Sequence, residues 1–243
     1  MKPKTKALPH NVSIGDRWSI IGATGTGKTR FSIRLLEEIY NGTRAVVPIY
    51  VLESKRPKLG EASDFEPWVT ANMAWVTDGD RPPVPFQPGV KRGIFMSGKP
   101  KPAISIWRYY DDDHDLHEQW LANIFDTGTP SVIYVDELFS ITTDRGKAPR
   151  SYEKILRQGR GQDIGLISAT QSPSYIPAQL VRQTSHVVRF RLNSDTDSEK
   201  LESMLGQRHM TEPAHTHGFY FRSVDQPIQT SPLRYYPDLS YFF

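Results

Sequence analysis

Apolar positions along this 243-residue chain fall into short blocks separated by polar joints rich in Gly, Pro, Asn and Asp. Trp18, Ile20 and Ile21 read as a strand, and Phe31, Ile33, Leu35, Leu36 and Ile39 then repeat with a helical period up to a stop at Asn41-Gly42. Val46 to Leu52 predicts a second strand, so strand, helix, strand form a βαβ unit and a parallel sheet is expected. Pro48 within that run predicts a place near a sheet edge, because proline cannot donate to a ladder. Short strands follow at Met73 to Val76 and Ala103 to Tyr109, then a helix through about Phe125 opened by Asp111-Asp112-Asp113, whose carboxylates suit the positive end of a helix dipole. Ser131 to Asp136 and Ile164 to Ala169 read as strands buried on both faces. Between and after them lie helices at Tyr152 to Gln158, Ile176 to Gln183 and Ser194 to Leu205, the last capped by Ser194 or Asp195. A strand at His186 to Leu192 and a closing hairpin of Gly218 to Val224 with Ile228 to Leu233 complete the pattern.

This divides the chain into a flexible basic arm (1–11), one large domain (12–234) and an aromatic tail (235–243) with five aromatics in nine residues. The tail is apolar enough to dock on its own subunit or a neighbour. Within the domain, residues 80–102 hold six prolines, five basic residues and one acid, which predicts an irregular insertion. Net charge is +3, which permits a nucleic-acid partner without requiring one. The chain has no cysteine, which excludes disulfides and thiolate metal sites. No run has the length of a membrane span or the form of a signal peptide, so a soluble intracellular protein is expected.

Chemistry concentrates in three places. Gly22-Ala23-Thr24-Gly25-Thr26-Gly27-Lys28-Thr29 fits G-x-x-x-x-G-K-[ST] at every fixed position, between a strand and a helix. Its backbone N–H groups can turn inward on a polyphosphate, with Lys28 reaching the β- and γ-phosphates, the Thr29 hydroxyl on Mg²⁺, and Arg30 next in the helix. Asp136-Glu137 ends the second buried strand, where Asp136 would complete the Mg²⁺ shell and Glu137 would polarise an attacking water. Thr170-Gln171 ends the third, and Gln171 can bond both γ-phosphate and water as a sensor. Lys55 and Arg56 read as surface charges in preference to nucleotide contacts. Asp111 to Asp113 with His114 and His117 read as an acidic helix cap in preference to a metal site, and His215 and His217 as strand residues sharing a face. Candidate DNA contacts are Arg145, Lys147 and Arg150 in a basic loop after the acid pair, which read equally as solvated charges, and Lys91, Arg92 and Lys99 in the insertion, which reads equally as a subunit-packing arm. Lys2, Lys4 and Lys6 read as a solvated tail.

GATGTGKT, VIYVDE and ILRQGRGQDIGLISATQSPSYIP together resemble the FtsK/HerA superfamily of P-loop ATPases, over roughly Trp18 to Arg191. The chain is most similar to the genome-packaging ATPases of internal-membrane bacteriophages and related viruses. The resemblance implies an α/β, RecA-like (ASCE) P-loop NTPase with a mostly parallel central sheet flanked by helices and a C-terminal antiparallel hairpin. It also implies ATP and Mg²⁺ as cofactors, a homo-oligomeric, usually hexameric ring, nucleotide held between subunits, and double-stranded DNA threaded through the centre. An arginine donated in trans is part of that pattern. Arg160 matches the Gly-Arg motif best, followed by Arg157 and Arg150. The function implied is an ATP-driven DNA translocase packaging a viral genome into a preformed capsid, at a virion vertex or in host cytoplasm. The alternatives are a cellular translocase for conjugation or chromosome processing, and a phage morphogenesis factor related to zonula occludens toxin.

Overall fold

Strands that are apolar at successive positions need cover on both faces, and the computed structural model supplies it from two helical layers. It describes residues 13–43, 46–85, 103–111, 113–143, 147–205, 212–223, 234–241 and 243. The arm at 1–11, most of the 80–102 insertion and the hairpin arm expected at Ile228 to Leu233 lie outside the described residues.

The strands are β1 (Arg17–Ile21), β2 (Ile49–Glu53), β3 (Ala74–Asp78), β4 (Ile104–Arg108), β5 (Ser131–Val135), β6 (Ile164–Thr170), β7 (His186–Phe190), β8 (Phe219–Ser223) and β9 (Arg234–Tyr236). They form one sheet in the order β3-β4-β2-β5-β6-β1-β7-β8-β9. Pairing is parallel from β3 to β7 and antiparallel for β8 and β9. The antiparallel end thus uses Arg234–Tyr236, at the start of the aromatic segment, as its last described strand.

Strand side chains alternate between two cores. Ile20, Ile49, Val51, Val132 and Tyr134 face a layer with α1 (Lys28–Gly42) and α2 (Glu66–Thr70), whose Phe31, Leu35, Leu36, Ile39 and Trp68 are buried there. Ile21, Tyr50, Leu52, Ile133 and Val135 face the other, with α3 (His114–Asp126), α4 (Arg150–Gln158), α5 (Ala178–Gln183) and α6 (Asp195–Leu205). Asp113 caps α3, its Oδ1 accepting from the Asp115 and Leu116 amides at 3.0 and 3.1 Å.

Two expectations change. β2 is an interior strand between β4 and β5, not an edge strand. Pro48 does not conflict with this, because it precedes the strand and contributes only its carbonyl, which accepts from Val132 N at 2.9 Å. His215 and His217 lie in the turn before β8, not in a strand. The aromatic segment docks on its own subunit: Tyr236 lies flat against Phe219 (5.4 Å), and Phe243 meets Phe31 of α1 at 5.2 Å.

His117 is wholly buried, edge-on to Trp107 (5.6 Å) and Tyr109 (5.5 Å), and neither ring nitrogen has a hydrogen-bond partner. Burial, and then the charge of His114, lowers its pKa to about 4. The unfolded chain, with a pKa near 6.5, therefore binds the extra proton first. Stability is unaffected above about pH 6.5 and falls as pH drops from there towards 4, by about 3 kcal/mol. His117→Phe is expected to remove most of that loss when urea unfolding is measured at pH 7 and pH 4.5. An unchanged pH dependence would contradict this placement.

Candidate active site

The carboxyl ends of β1, β6 and β5 lie side by side because β6 pairs with both of the others. Ile21 stands opposite Thr170, and Val135 opposite Ser168. The next residues along each chain, Gly22, Gln171 and Asp136-Glu137, therefore emerge at one edge, where open parallel sheets bind ligands.

Packing and backbone geometry set the loop after β1. A Cβ on Gly22 would stand 2.5 Å from Phe190 Cβ, so only glycine fits against β7. Gly27, at φ 107°, turns the chain into α1 through a conformation that L side chains rarely adopt. Ala23 N donates to Arg191 O at 2.7 Å and the Thr26 hydroxyl to Ala23 O at 2.7 Å, anchoring the loop to β7 and to itself. The Lys28 side chain is buried in the loop's concavity and donates to Gly22 O (2.5 Å) and Ala23 O (2.8 Å). Burial, and then the positive charge of Lys55, lowers its pKa to about 8, against the attraction of Glu137 and Asp136. The result is a concave, amide-rich loop with an ammonium at its base, whose donor set fits a polyphosphate.

The acids meet this loop from β5. The Thr29 hydroxyl donates to Asp136 Oδ1 at 3.4 Å. The same oxygen accepts from Tyr134 Oη at 2.8 Å, and burial followed by the Asp136 charge raises the Tyr134 pKa well above its usual value. Gln171 N donates to Glu137 Oε1 at 3.3 Å, while Glu137 Oε2 is buried without a hydrogen-bond partner. That oxygen carries no hydrogen bond, so its lone pairs can accept one from a bound water or ligand. The Thr24 hydroxyl donates to Gln171 Oε1 at 2.6 Å, which ties the phosphate loop to the end of β6. Thr29 and Asp136 offer oxygens of the kind that hold Mg²⁺.

Lys55 is not a bystander on the surface. From the loop after β2 its Nζ approaches Asp136 Oδ2 (3.8 Å) and Glu137 Oε2 (3.9 Å). Sequence reasoning missed it because the pairing of β2 with β5, which carries it there, is not visible in one sequence. Tyr134 was also missed, although residues two apart on a strand share a face, so the Tyr of VIYVD was bound to lie on the side of Asp136.

Other candidates lie elsewhere. Arg160 sits before β6, at the opposite end of that strand from Gln171, and its Nη2 donates to Ser185 Oγ at 2.7 Å. Six residue steps of β6 separate the two edges by about 20 Å. Arg157 is exposed on α4, 3.8 Å from Glu153. Lys147, between the acid pair and α4, and Arg150, the first residue of α4, are exposed, and Arg30 is exposed on the first turn of α1. Lys91, Arg92, Lys99 and Arg145 lie outside the described residues. Among the described residues no cluster of His, Asp and Glu has the form of a metal site of its own.

No protein-family model and no curated protein matches this sequence. Solved structures do match its fold. The genome-packaging NTPase B204 of Sulfolobus turreted icosahedral virus 2, in complex with ATPγS, superposes with a TM-score of 0.60 at 11% identity, over 93% of this chain and 99% of that one. The chain has the RecA-like P-loop fold. This P-loop architecture is also shared with B204, the DNA-packaging ATPase of Sulfolobus turreted icosahedral virus (TM-score 0.56, 13% identity, 93% and 99% covered). ATPases 2 and 3 of EssC from Geobacillus thermodenitrificans have it too (TM-score 0.55, 10% identity), with 90% of this chain matching 39% of that one.

The P-loop's seating against β7 is open to a direct check. Gly22→Ala is expected to cost about 1–3 kcal/mol through overpacking against Phe190, and so to lower the melting temperature by several degrees. A melting curve identical to that of the parent protein would show that the contact does not hold the loop.

Proposed function

We propose that this protein is an ATP-hydrolysing DNA translocase that packages a viral genome into a preformed capsid. The observation that carries the reading is the convergence of Lys28, Thr29, Asp136, Glu137 and Gln171, from three neighbouring strands, on one concave loop. The fold likeness to B204 supports the same reading.

In this account the backbone of Gly22 to Thr29, with Lys28 and Arg30, holds the phosphates of ATP, and Thr29 and Asp136 hold Mg²⁺. The cation, when bound, neutralises charge on the phosphate oxygens. Lys28 exchanges its bonds to the Gly22 and Ala23 carbonyls for phosphate oxygens, so its ammonium is already positioned and largely desolvated before ligand arrives. Glu137 Oε2 takes the proton of the attacking water. Gln171, held between Thr24 and Glu137, orients that water and reports the state of the phosphates to β6 and the turn beyond it. Lys55 keeps the two carboxylates apart from one another's charge and in place.

Arg160 lies at the far edge of its own subunit and serves a neighbour's site, with Arg157 and Arg150 as substitutes, so the active unit is a homo-oligomeric ring, a hexamer in this reading. Lys147 and Arg150 contact double-stranded DNA in the ring, and Arg145, Lys91, Arg92 and Lys99 are further candidate contacts from the sequence. The ATPase domain spans 12–234, and the complex works at a capsid vertex or in host cytoplasm. Among the described residues no helix is long and apolar enough to cross a membrane. A cellular translocase is the second reading, favoured by the fold likeness to EssC, and location at a virion vertex separates the two.

Glu137→Gln is expected to lower Mg²⁺-dependent ATP turnover at least 100-fold while ATP binding persists. Wild-type turnover in that variant would remove Glu137 from the role of base. Arg160→Ala is expected to reduce turnover by about 10³-fold or more with ATP affinity retained, and turnover of the parent protein should rise with protein concentration and with duplex DNA. Full activity of Arg160→Ala would exclude the trans role.

A further inference from the structure

Beyond the phosphate loop, the turn after β9 hangs over the start of α1. Asp238 Oδ1 accepts from the Ser240 amide (2.7 Å) and hydroxyl (2.5 Å), which fixes that turn. Phe243 N donates to Leu239 O at 3.0 Å, and the Phe243 ring lies against Phe31 with the Arg34 guanidinium 6.0 Å from its centroid. Between this turn and the phosphate loop lies a cavity of about 360 Å³ lined by Gly27, Arg30, Phe190, His217, Asp238, Leu239 and Ser240. Its aromatic wall is close to the loop. His217 Nδ1 is 3.4 Å from Thr26 O, and a Cβ on Gly27 would stand 3.5 Å from both His217 Nδ1 and Phe190 Cε1.

Three properties identify the occupant. The volume falls in the range of small-molecule pockets. The lining pairs apolar and aromatic surfaces, Phe190, His217 and Leu239, with a few polar groups, Arg30, Asp238 and Ser240, which suits a heteroaromatic ring bearing hydroxyls and not a bare anion. Gly27 belongs both to this cavity and to the phosphate loop, so the two are continuous. We propose that the cavity receives the base and ribose of the nucleotide whose phosphates lie on Gly22 to Thr29, with Leu239 and His217 in its lining. The turn at Asp238 to Ser240 is then part of the nucleotide site, and nucleotide binding and the docking of Phe243 on α1 stabilise one another. This rests on the phosphate-loop reading given above.

The test uses the full chain and two ligands, ATPγS and inorganic triphosphate, in calorimetric titrations of the parent protein, His217→Ala and Leu239→Ala. Both variants are expected to bind ATPγS about tenfold more weakly and triphosphate with unchanged affinity. Hydrogen exchange in residues 234–243 of the parent protein is expected to slow with ATPγS and not with triphosphate. This second readout keeps the outcome decisive if a variant folds poorly. Equal loss for both ligands, no loss for either, or equal protection by both overturns the nucleoside pocket while leaving the phosphate loop standing. Failure of the parent protein to bind either ligand overturns both.

Discussion

The parallel ladder β5-β6-β1 is the constraint on which the site depends. Backbone bonding fixes Ile21 against Thr170 and Val135 against Ser168, and a slip of one residue would turn every side chain of a strand to the opposite face. Because both faces are packed with buried side chains, such a slip is not tolerated. The catalytic candidates therefore gain their positions from the core, not from contacts with one another. Thr24 to Gln171 at 2.6 Å, Gln171 to Glu137 at 3.3 Å and Thr29 to Asp136 at 3.4 Å are what remains to be joined once the strand ends are set.

Electrostatics at that edge follow from the same crowding. Two ammonium groups, Lys28 and Lys55, and two carboxylates, Asp136 and Glu137, share a region in which all but Lys55 are buried. Lys28 places two of its donors on the loop's own carbonyls, and its charge is held there at the expense of solvation. A polyanion arriving at such a loop meets donors that need no large rearrangement, which is how preorganised sites lower the cost of binding charge. Farther along β2, Glu53 is tied to Ser63 at 2.5 Å and Arg108 at 2.9 Å, and burial raises its pKa. That network lies at the carboxyl ends of β2 and β4 and gives the loop bearing Lys55 a firm base.

Local chemistry was legible in the residues, and non-local pairing was not. Glycines, Lys28 and Thr29 at fixed spacings announce a phosphate loop because turn geometry and helix entry are properties of a few consecutive residues. Asp136-Glu137 and Gln171 were legible as strand ends because apolar runs mark buried parallel strands. The order of those strands is set by long-range packing, so the interior place of β2, and with it the approach of Lys55 to the acids, could not be read from Pro48 or from Lys55 itself. The aromatic segment announced only that it must be covered. Its resting place on α1, and the cavity it makes with His217, came from the fold of the whole chain. His215 and His217 looked like strand residues because alternation over three positions is too short to separate a strand from a turn.

One face of the molecule thus carries a phosphate loop with its acids, while Arg160 stands at the opposite edge of the same sheet beside Ser185. In the proposed reading, a subunit arranged in this way completes its site with a neighbour's Arg160. The decisive measurement is electron cryomicroscopy of the protein with a non-hydrolysable ATP analogue, Mg²⁺ and duplex DNA. The expected result is a closed ring with DNA in its centre, the analogue's phosphates on Gly22 to Thr29 of one subunit, and an arginine of the next subunit against them. Monomers with a fully enclosed nucleotide, or a ring with nucleotide remote from every subunit boundary, would contradict the account.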